Sequence, residues 1–288
     1  MYKIAHISDI HLSYDDKNRF GEKLVEVLKD IQGRECDHII ITGDLVDNPE
    51  AENFQYLREI ISHFELLNSD KLSVIPGNHD IFGGAPQGMN FFTFPTICKE
   101  VVYKENEDLF VESFRESFPE KTTFPYLKIL GNIALIGVNS VDKWSQDKNV
   151  EGSNGRVTKE ELKDLKDILN SVETKGKYKM IMIHHYFNEL EDDEGYPLHN
   201  LWLRSIDWKM KIYGKKKLTS FFKRHKVNMV LHGHSHINQI YNIKGVTYLN
   251  SSAAVSPITD DHQRKYNIIS VPEETENSES ISIETIIL

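Results

Sequence analysis

The sequence HIIITGDLVD at residues 38–47 places a run of apolar residues directly before Gly43-Asp44. A short run rich in β-branched side chains that stops at a glycine is typical of a strand buried in an α/β sheet. We therefore predict a strand at His38–Thr42. Asp44 then lies just beyond its carboxyl end, where binding sites form in open α/β sheets.

Four other stretches repeat this arrangement of an apolar run followed by polar side chains. They are KIAHISDIH at 3–11, LSVIPGNHD at 72–80, KMIMIHH at 179–185 and NMVLHGHSH at 228–236. The polar residues that follow the five runs are Asp9, His11, Asp44, Asn78, His79, Asp80, His184, His185, His234 and His236. Single Asp or Asn residues at strand ends commonly serve as turns or helix caps. Five such ends carrying Asp, Asn or His indicate a site instead.

The remaining sequence alternates helix-like and strand-like stretches, which is the α/β pattern. Helices are predicted at Phe20–Ile31, from Pro49 to about Phe64, near Leu109–Phe118, from the Thr158–Glu161 capping box to near Val172, and at Lys215–His225. Further strands are predicted at Tyr126–Leu130, Ile133–Val138, Ile237–Ile243, Val246–Asn250, Tyr266–Val271 and Ser280–Ile287. We expect a single domain over residues 1–288, with variable insertions near 83–125 and 188–213.

Composition excludes several functional classes. The 288 residues contain 34 Lys and Arg against 44 Asp and Glu, a formal net charge of −10. This balance argues against broad nucleic-acid binding, because such binding depends on many basic contacts with phosphates. We find neither an apolar run long enough to span a membrane nor a signal peptide. Cys36 and Cys98 form no metal-binding or redox pair, so a cytoplasmic location is expected.

The polar residues at the strand ends form a coherent set of metal donors. All of them offer oxygen or imidazole nitrogen and none offers a thiolate, and we take seven as the candidate donors. Such donors suit Mn, Fe, Zn or Co. Seven are too many for one ion but suit two ions that share a carboxylate. The seven donors are Asp9, His11, Asp44, Asn78, His184, His234 and His236.

In order and spacing, these blocks resemble the signature of the calcineurin-like metallophosphoesterase family. That signature reads Asp-x-His, Gly-Asp, Gly-Asn-His-Asp/Glu, a His after a strand, and Gly-His-x-His. The resemblance implies a four-layer αββα sandwich, with two β-sheets face to face and helices outside. One departure is local: the family often has Pro after the His pair, whereas Tyr186-Phe187 stands here.

The resemblance also implies a binuclear site with assigned roles. One ion would bind Asp9, His11, Asp44 and His236, and the other Asp44, Asn78, His184 and His234, so that Asp44 bridges. A metal-bridging hydroxide would attack the phosphorus. His79 would not be a ligand but would face the phosphate and the leaving group. Asp80, His185 and Asn139 are candidates to orient the ligands or to face the substrate, although Asn139 could equally have a purely structural role.

The function implied is hydrolysis of a small phosphate ester, with a cyclic nucleotide or another small phosphodiester as the expected substrate. A DNA-processing nuclease of the same superfamily is the main alternative, disfavoured by the net charge and the lack of a long capping domain. A non-catalytic scaffold is a second alternative, but it should lack ligands or His79, and all are present. The choice between monoester and diester, the native metals and the oligomeric state stay open.

Two further features each allow two interpretations. The basic cluster between Lys209 and Lys226 is either a solvated helix face or a positive rim that attracts phosphate. The aromatic residues of the insertions could stack on a nucleobase or fill a small core: Phe91, Phe92, Phe94, Trp202 and Trp208. Asp47 and Arg156 are expected to be structural.

Overall fold

The computed structural model describes residues 1–15, 19–85, 93–120, 123–187, 210–255, 263–273 and 281–288. Strands in these ranges are β1 (Tyr2–Ile7), β2 (His38–Ile41), β3 (Leu72–Val74), β4 (Tyr126–Leu130), β5 (Ile133–Gly137), β6 (Gly155–Arg156), β7 (Tyr178–Met182), β8 (Ile212–Tyr213), β9 (Met229–His232), β10 (Gln239–Ile243), β11 (Val246–Asn250), β12 (Lys265–Val271) and β13 (Ser282–Ile287). Helices are α1 (Phe20–Gly33), α2 (Ala51–His63), α3 (His79–Phe82), α4 (Phe94–Glu100), α5 (Tyr103–Ser113), α6 (Lys159–Leu169) and α7 (Lys215–Arg224).

The strands form two large sheets and a two-stranded ribbon. The first sheet has the order β13-β12-β1-β2-β3, and the second has the order β10-β11-β9-β7-β5-β4. β1, β2 and β3 run parallel, as do β5, β7, β9 and β11. The ribbon pairs β6 with β8.

Alternating side chains bury both faces of the second sheet. Met180 and Met182 of β7 join the core that also contains the residues of β1 and β2. Ile181, between them, joins a separate core with Leu165 of α6 and Phe222 of α7. Because neighbouring side chains on a strand point to opposite faces, the second sheet lies between the first sheet and these helices. With α1 and α2 packed in the first core, the predicted four-layer αββα sandwich is confirmed.

Helix boundaries differ from prediction in two places. The helix expected to start at Pro49 begins at Ala51, because the Asn48 side chain accepts a hydrogen bond from Gly84 N at 3.2 Å instead of capping the helix. The helix expected near Leu109–Phe118 is α5, which ends at Ser113 and is followed by a 3₁₀ turn. The capping box of α6 is present as predicted.

The stretch 83–125, predicted to be an insertion, contributes to a small separate core beside α3. Ile81 and Phe82 pack there with Cys98 of α4 and Val141, and Phe94 packs against them. Phe94 therefore fills a small core, which was one of its two interpretations. Phe91, Phe92, Trp202 and Trp208 lie outside the described residues. Within the described ranges, no helix has the length and apolar character needed to cross a membrane.

Candidate metal centre

The seven sequence-predicted donors come together where the two sheets present the carboxyl ends of their parallel strands. Three groups have donor atoms within 4.8 Å of one another: Asp9, His11 and His236; His11, Asp44 and His79; and Asp44, His184 and His234. The groups overlap at His11 and Asp44. The cluster is therefore continuous, with Asp44 at its centre.

The first group joins the loop after β1 to the loop after β9. His236 Nε2 lies 3.1 Å from His11 Nε2 and 3.5 Å from Asp9 Oδ1. The Asp9 carboxylate also accepts a hydrogen bond from the backbone N–H of His234 at 3.1 Å. This contact holds the two loops together across the interface between the sheets.

The second group is centred on the buried ring of His184. Its Nδ1 lies 2.8 Å from the carbonyl oxygen of Thr42, so Nδ1 carries the hydrogen and donates it. Nε2 faces three other atoms: His234 Nδ1 at 3.0 Å, Asn78 Oδ1 at 3.2 Å and Asp44 Oδ2 at 3.3 Å. A carbonyl partner of this kind fixes the tautomer and orientation of a ligating histidine.

These contacts fit a cation better than they fit hydrogen bonding alone. A proton on His184 Nε2 could satisfy only one of the three atoms that face it, whereas a metal ion accepts several lone pairs at once. His234 Nε2 is buried without a hydrogen-bond partner among the described residues. Although burial disfavours its charged form, His184 has a pKa raised to about 9 by the Asp44 carboxylate. The Asp44 carboxylate therefore favours positive charge at His184.

Asp44 lies between the two groups. Its Oδ2 is 3.3 Å from His184 Nε2 and 3.8 Å from His11 Nε2. Its Oδ1 accepts a hydrogen bond from the backbone N–H of His79 at 2.8 Å. Asp44 is only 2% exposed. One buried carboxylate thus faces histidines from both sheets.

Five of the ten described non-glycine residues with positive φ belong to this cluster. Asp9, His11, Asp44, His234 and His236 all adopt positive φ, between 49° and 71°. Residues other than glycine rarely adopt this left-handed conformation, which persists where surrounding contacts enforce it and is common at functional sites. The strain gives a physical reason to treat these five positions as one functional unit.

The glycines of the motifs have two different roles. Gly43 has a φ of 96°, so it provides the sharp turn that the sequence suggests. Gly77 and Gly233 have no such angle. A side chain at Gly77 would overlap the Asp44 carboxylate, and one at Gly233 would overlap Ser8 and Asp9. These two glycines allow the loops to approach each other closely.

His79 lies beside the donors at the open side of the cluster. Its Nδ1 is 3.1 Å from the Asp47 carbonyl oxygen and 3.3 Å from the Asp47 carboxylate. Burial disfavours the imidazolium, but Asp44 and Asp47 raise the pKa of His79 to about 9. Asp47 was expected to be structural. Its contact with His79 could have been suspected from its position three residues after Asp44.

Asp80 does not orient an imidazole as expected. Its carboxylate accepts hydrogen bonds from the backbone N–H groups of Leu45, Val46 and Gly77, at 2.8–3.2 Å. None of its described hydrogen bonds reaches a histidine. Asp80 lies at the start of α3. From there its carboxylate joins the loop that carries Asp44 to the loop that carries Asn78.

His185 and Asn139 also have contacts that the sequence left open. His185 is fully buried, so it does not face substrate; its Nε2 donates to Ser153 O at 3.2 Å and its Nδ1 accepts from Ser140 Oγ at 2.8 Å. Its ring packs against that of His234, with centroids 4.6 Å apart. Asn139 is bonded to Tyr103 and Glu107 of α5, which supports the structural alternative.

Tyr186 is a contact that sequence reasoning did not assign. Its ring stacks on His234, with centroids 5.9 Å apart and planes at 30°. The side chain is 3% exposed. The signal was the departure from the family pattern, in which Pro often follows the His pair.

The four-layer fold and the cluster of Asp, Asn and His at its strand ends define the metallophosphoesterases, hydrolases that act on phosphoric ester bonds. The family model described as calcineurin-like phosphoesterase matches residues 2–238. The chain belongs to the calcineurin-like phosphoesterase family.

Individual relatives are similar along most of their length. The chain is 24% identical over 240 residues to a probable cyclic nucleotide phosphodiesterase of Vesicomyosocius okutanii subsp. Calyptogena okutanii (strain HA), covering 82% of this chain and 78% of that protein. A protein of the same description from Ruthia magnifica subsp. Calyptogena magnifica is 21% identical over 270 residues, covering 92% of each. A solved dimetal phosphatase from Danio rerio has a TM-score of 0.62 at 11% identity, covering 99% of this chain and 95% of that one. This last likeness concerns the fold.

Proposed function

We propose that this protein is a binuclear metal-dependent phosphodiesterase that hydrolyses a small-molecule or cyclic-nucleotide phosphodiester. The observation that carries the proposal is the overlap of the donor groups at Asp44, which places one carboxylate between histidines of both sheets. A carboxylate that belongs to two donor groups can bridge a pair of neighbouring ions. The oxygen and imidazole donors suit Mn, Fe, Zn or Co.

The residues divide into two ligand sets around Asp44. Asp9, His11, Asp44 and His236 would hold one ion, and Asp44, Asn78, His184 and His234 the other. Two such ions would polarise a bound phosphoryl group and activate water near neutral pH. Thr42 O keeps His184 in the tautomer that a ligand needs.

His79 would act on the leaving group. Because Asp47 engages Nδ1, the other ring nitrogen is left for the substrate. Through that nitrogen a protonated ring can donate a hydrogen bond or a proton to the departing oxygen. The side chain is 24% exposed, which gives a substrate access to it.

The substrate class rests on the relatives and the charge. Two relatives that align over most of their length are described as probable cyclic nucleotide phosphodiesterases. The net charge of −10 disfavours a long polyanion such as DNA. We further propose that residues 1–288 act as one domain and that the insertions near 83–125 and 188–213 select the substrate. For the insertion near 83–125, the support is the packing of α4 beside α3. In the insertion near 188–213, residues 188–209 lie outside the described residues.

The test is a panel of phosphate esters offered to the chain after reconstitution with Mn²⁺, Fe²⁺, Zn²⁺ or Co²⁺. The panel comprises bis(p-nitrophenyl) phosphate, p-nitrophenyl phosphate, cyclic nucleotides, glycerophosphodiesters and single-stranded DNA. We expect diesters to be hydrolysed faster than the monoester, and Asp44→Asn to be inactive on all of them. A preference for the monoester would overturn the diesterase proposal, and a preference for DNA would favour the nuclease. Full activity of Asp44→Asn would reject the binuclear mechanism.

A further inference from the structure

The start of α7 carries a concentration of positive charge that the proposed chemistry does not use. Lys215, Lys216 and Lys217 form its first turn, and the latter two are exposed. The sequence has no acidic residue from 209 to 226, although the chain as a whole has a net charge of −10. We call these three residues the lysine rim.

The lysine rim opposes the usual charge preference of a helix. The amino end of a helix carries partial positive charge, so acidic residues are favourable there and lysines are not. α1, α2, α5 and α6 follow this rule with Glu in the first turn, α4 has no acidic residue there, and α7 has three lysines instead. Local rules that are broken without a stabilising gain are expected at functional surfaces.

Two contacts place the lysine rim near the edge of the second sheet that carries His184, His185 and His234, which we call the metal edge. The ring of His185 lies against the backbone of Gly155, where a side chain would collide with it. Gly155 pairs with Ile212 in the ribbon, and Ile212 precedes the lysine rim by three residues. Because three residues span at most about 11 Å, Lys215 lies within about 20 Å of His185.

The other end of α7 lies at the opposite edge of the second sheet, where β7 begins. His225 O accepts a hydrogen bond from Lys179 Nζ, and Asn228 N donates to Lys179 O. Lys179 lies near the start of β7, five residues before His184, which is about 16 Å along a strand. Lys223, Arg224 and Lys226 therefore form a matched set of three basic residues on the same element, but at the end opposite the metal edge.

We infer that the lysine rim is an electrostatic guide that concentrates anionic phosphate esters at the metal edge. This inference rests on the proposed phosphoesterase function. The charges act at a distance, raising the local concentration of anions rather than contacting the phosphate in the transition state. Substrate capture should then depend on them, while kcat should not. The electrostatic energy is proportional to the charge of the ligand. The fold-change in affinity for a dianion should therefore be about the square of the fold-change for a monoanion.

The test compares two triple variants with the wild type at about 0.01 M and about 0.5 M ionic strength. The rim variant is Lys215→Gln, Lys216→Gln, Lys217→Gln, and the control is Lys223→Gln, Arg224→Gln, Lys226→Gln. Turnover of bis(p-nitrophenyl) phosphate reports on a monoanion. Inhibition by inorganic phosphate at about pH 8 reports on a dianion.

At low salt we expect the rim variant to lose about 2–5-fold in kcat/KM with kcat unchanged, and phosphate inhibition to weaken by about the square of that factor. Both effects should fade at high salt, and the control should behave as wild type. Equal behaviour of the two variants would overturn the inference and leave a solvated helix face. If the wild type hydrolyses no ester, the proposed function fails instead. Should the triple rim variant not fold, Lys216→Gln with Lys217→Gln repeats the comparison.

Discussion

The carboxylate of Asp47 lies 3.3 Å from Nδ1 of His79, and the carbonyl oxygen of the same residue lies 3.1 Å from that nitrogen. One residue thus holds the ring through both its side chain and its backbone. The Asp47 side chain is 45% exposed, so its charge is partly screened by water. Its main effect is therefore to orient the ring, with the backbone carbonyl as a second support.

His79→Ala should lower kcat by about 10²–10⁴-fold, because a general acid contributes roughly that much. Metal content should not change, since His79 is outside both proposed ligand sets. Asp47→Asn should lower kcat by a smaller factor, because the carbonyl contact is retained. Steady-state kinetics with metal analysis of each variant checks both expectations. His63→Ala, on the exposed side of α2, is the matched control; an unchanged kcat in His79→Ala would rule out the leaving-group role.

Asp80→Ala should destabilise the fold by about 2–5 kcal/mol, because it leaves the buried N–H groups of Leu45, Val46 and Gly77 without their acceptor. Urea unfolding of chelated protein measures this without a contribution from metal binding. Asp70→Ala removes an exposed carboxylate and should have little effect. Equal stability of the two variants would show that the hydrogen bonds of Asp80 do not hold the loops.

Tyr186→Leu should weaken metal binding, because the Tyr186 ring stacks on His234 and orients it. His234 Nε2 has no hydrogen-bond partner among the described residues. Loss of a group that orients a ligand typically lowers metal affinity by about 10–100-fold. Tyr186→Phe keeps the stacking and should retain near wild-type affinity. Competition against a chromogenic chelator measures both. If Tyr186→Phe were as weak as Tyr186→Leu, the hydroxyl rather than the stacking would be responsible.

His38 links stability to pH far from the metals. Its Nδ1 donates to Asp70 O and its Nε2 accepts from Ser73 Oγ, and burial lowers its pKa to about 3. Between about pH 6.5 and pH 3, His38 is protonated in the unfolded chain but not in the folded protein. The free energy of unfolding therefore falls as the pH falls from about 6.5 towards 3. The loss should approach 1.4 kcal/mol per pH unit. Urea unfolding at several pH values should show a shallower slope for His38→Gln; equal slopes would contradict the assignment.

The sequence was sufficient to predict the strands of the two large sheets and the placement of the donors, but not the ribbon of β6 and β8. Buried parallel strands are short apolar runs, and their ends are marked by glycine and polar residues, so local sequence carries both signals. Thus β4 and β11 have their predicted bounds, and β2 ends one residue before its predicted end. The hydrogen bond from the His234 backbone to Asp9 depends on the packing of the two sheets. That packing was predicted from the family resemblance and not from the strand patterns.

What sequence could not supply were contacts that depend on exact loop paths. Asp80 bonds to the backbone of another loop, and no spacing rule distinguishes this from a contact with a histidine. Asn139 lies after a buried strand, as a site residue would, yet α5 lies close enough to take its hydrogen bonds. The start of α2 moved because Asn48 is bonded to Gly84, a residue far along the chain.

The most direct test of the binuclear proposal is metal stoichiometry, measured by inductively coupled plasma mass spectrometry on the reconstituted, gel-filtered chain and on Asp44→Asn. Asp44→Asn removes the charge that both ligand sets share, while a variant of an exposed carboxylate, Asp70→Asn, serves as the control. We expect two ions per wild-type and Asp70→Asn chain, and clearly fewer than two, with no phosphodiesterase activity, for Asp44→Asn. One ion per wild-type chain, or two ions and full activity in Asp44→Asn, would contradict the proposal.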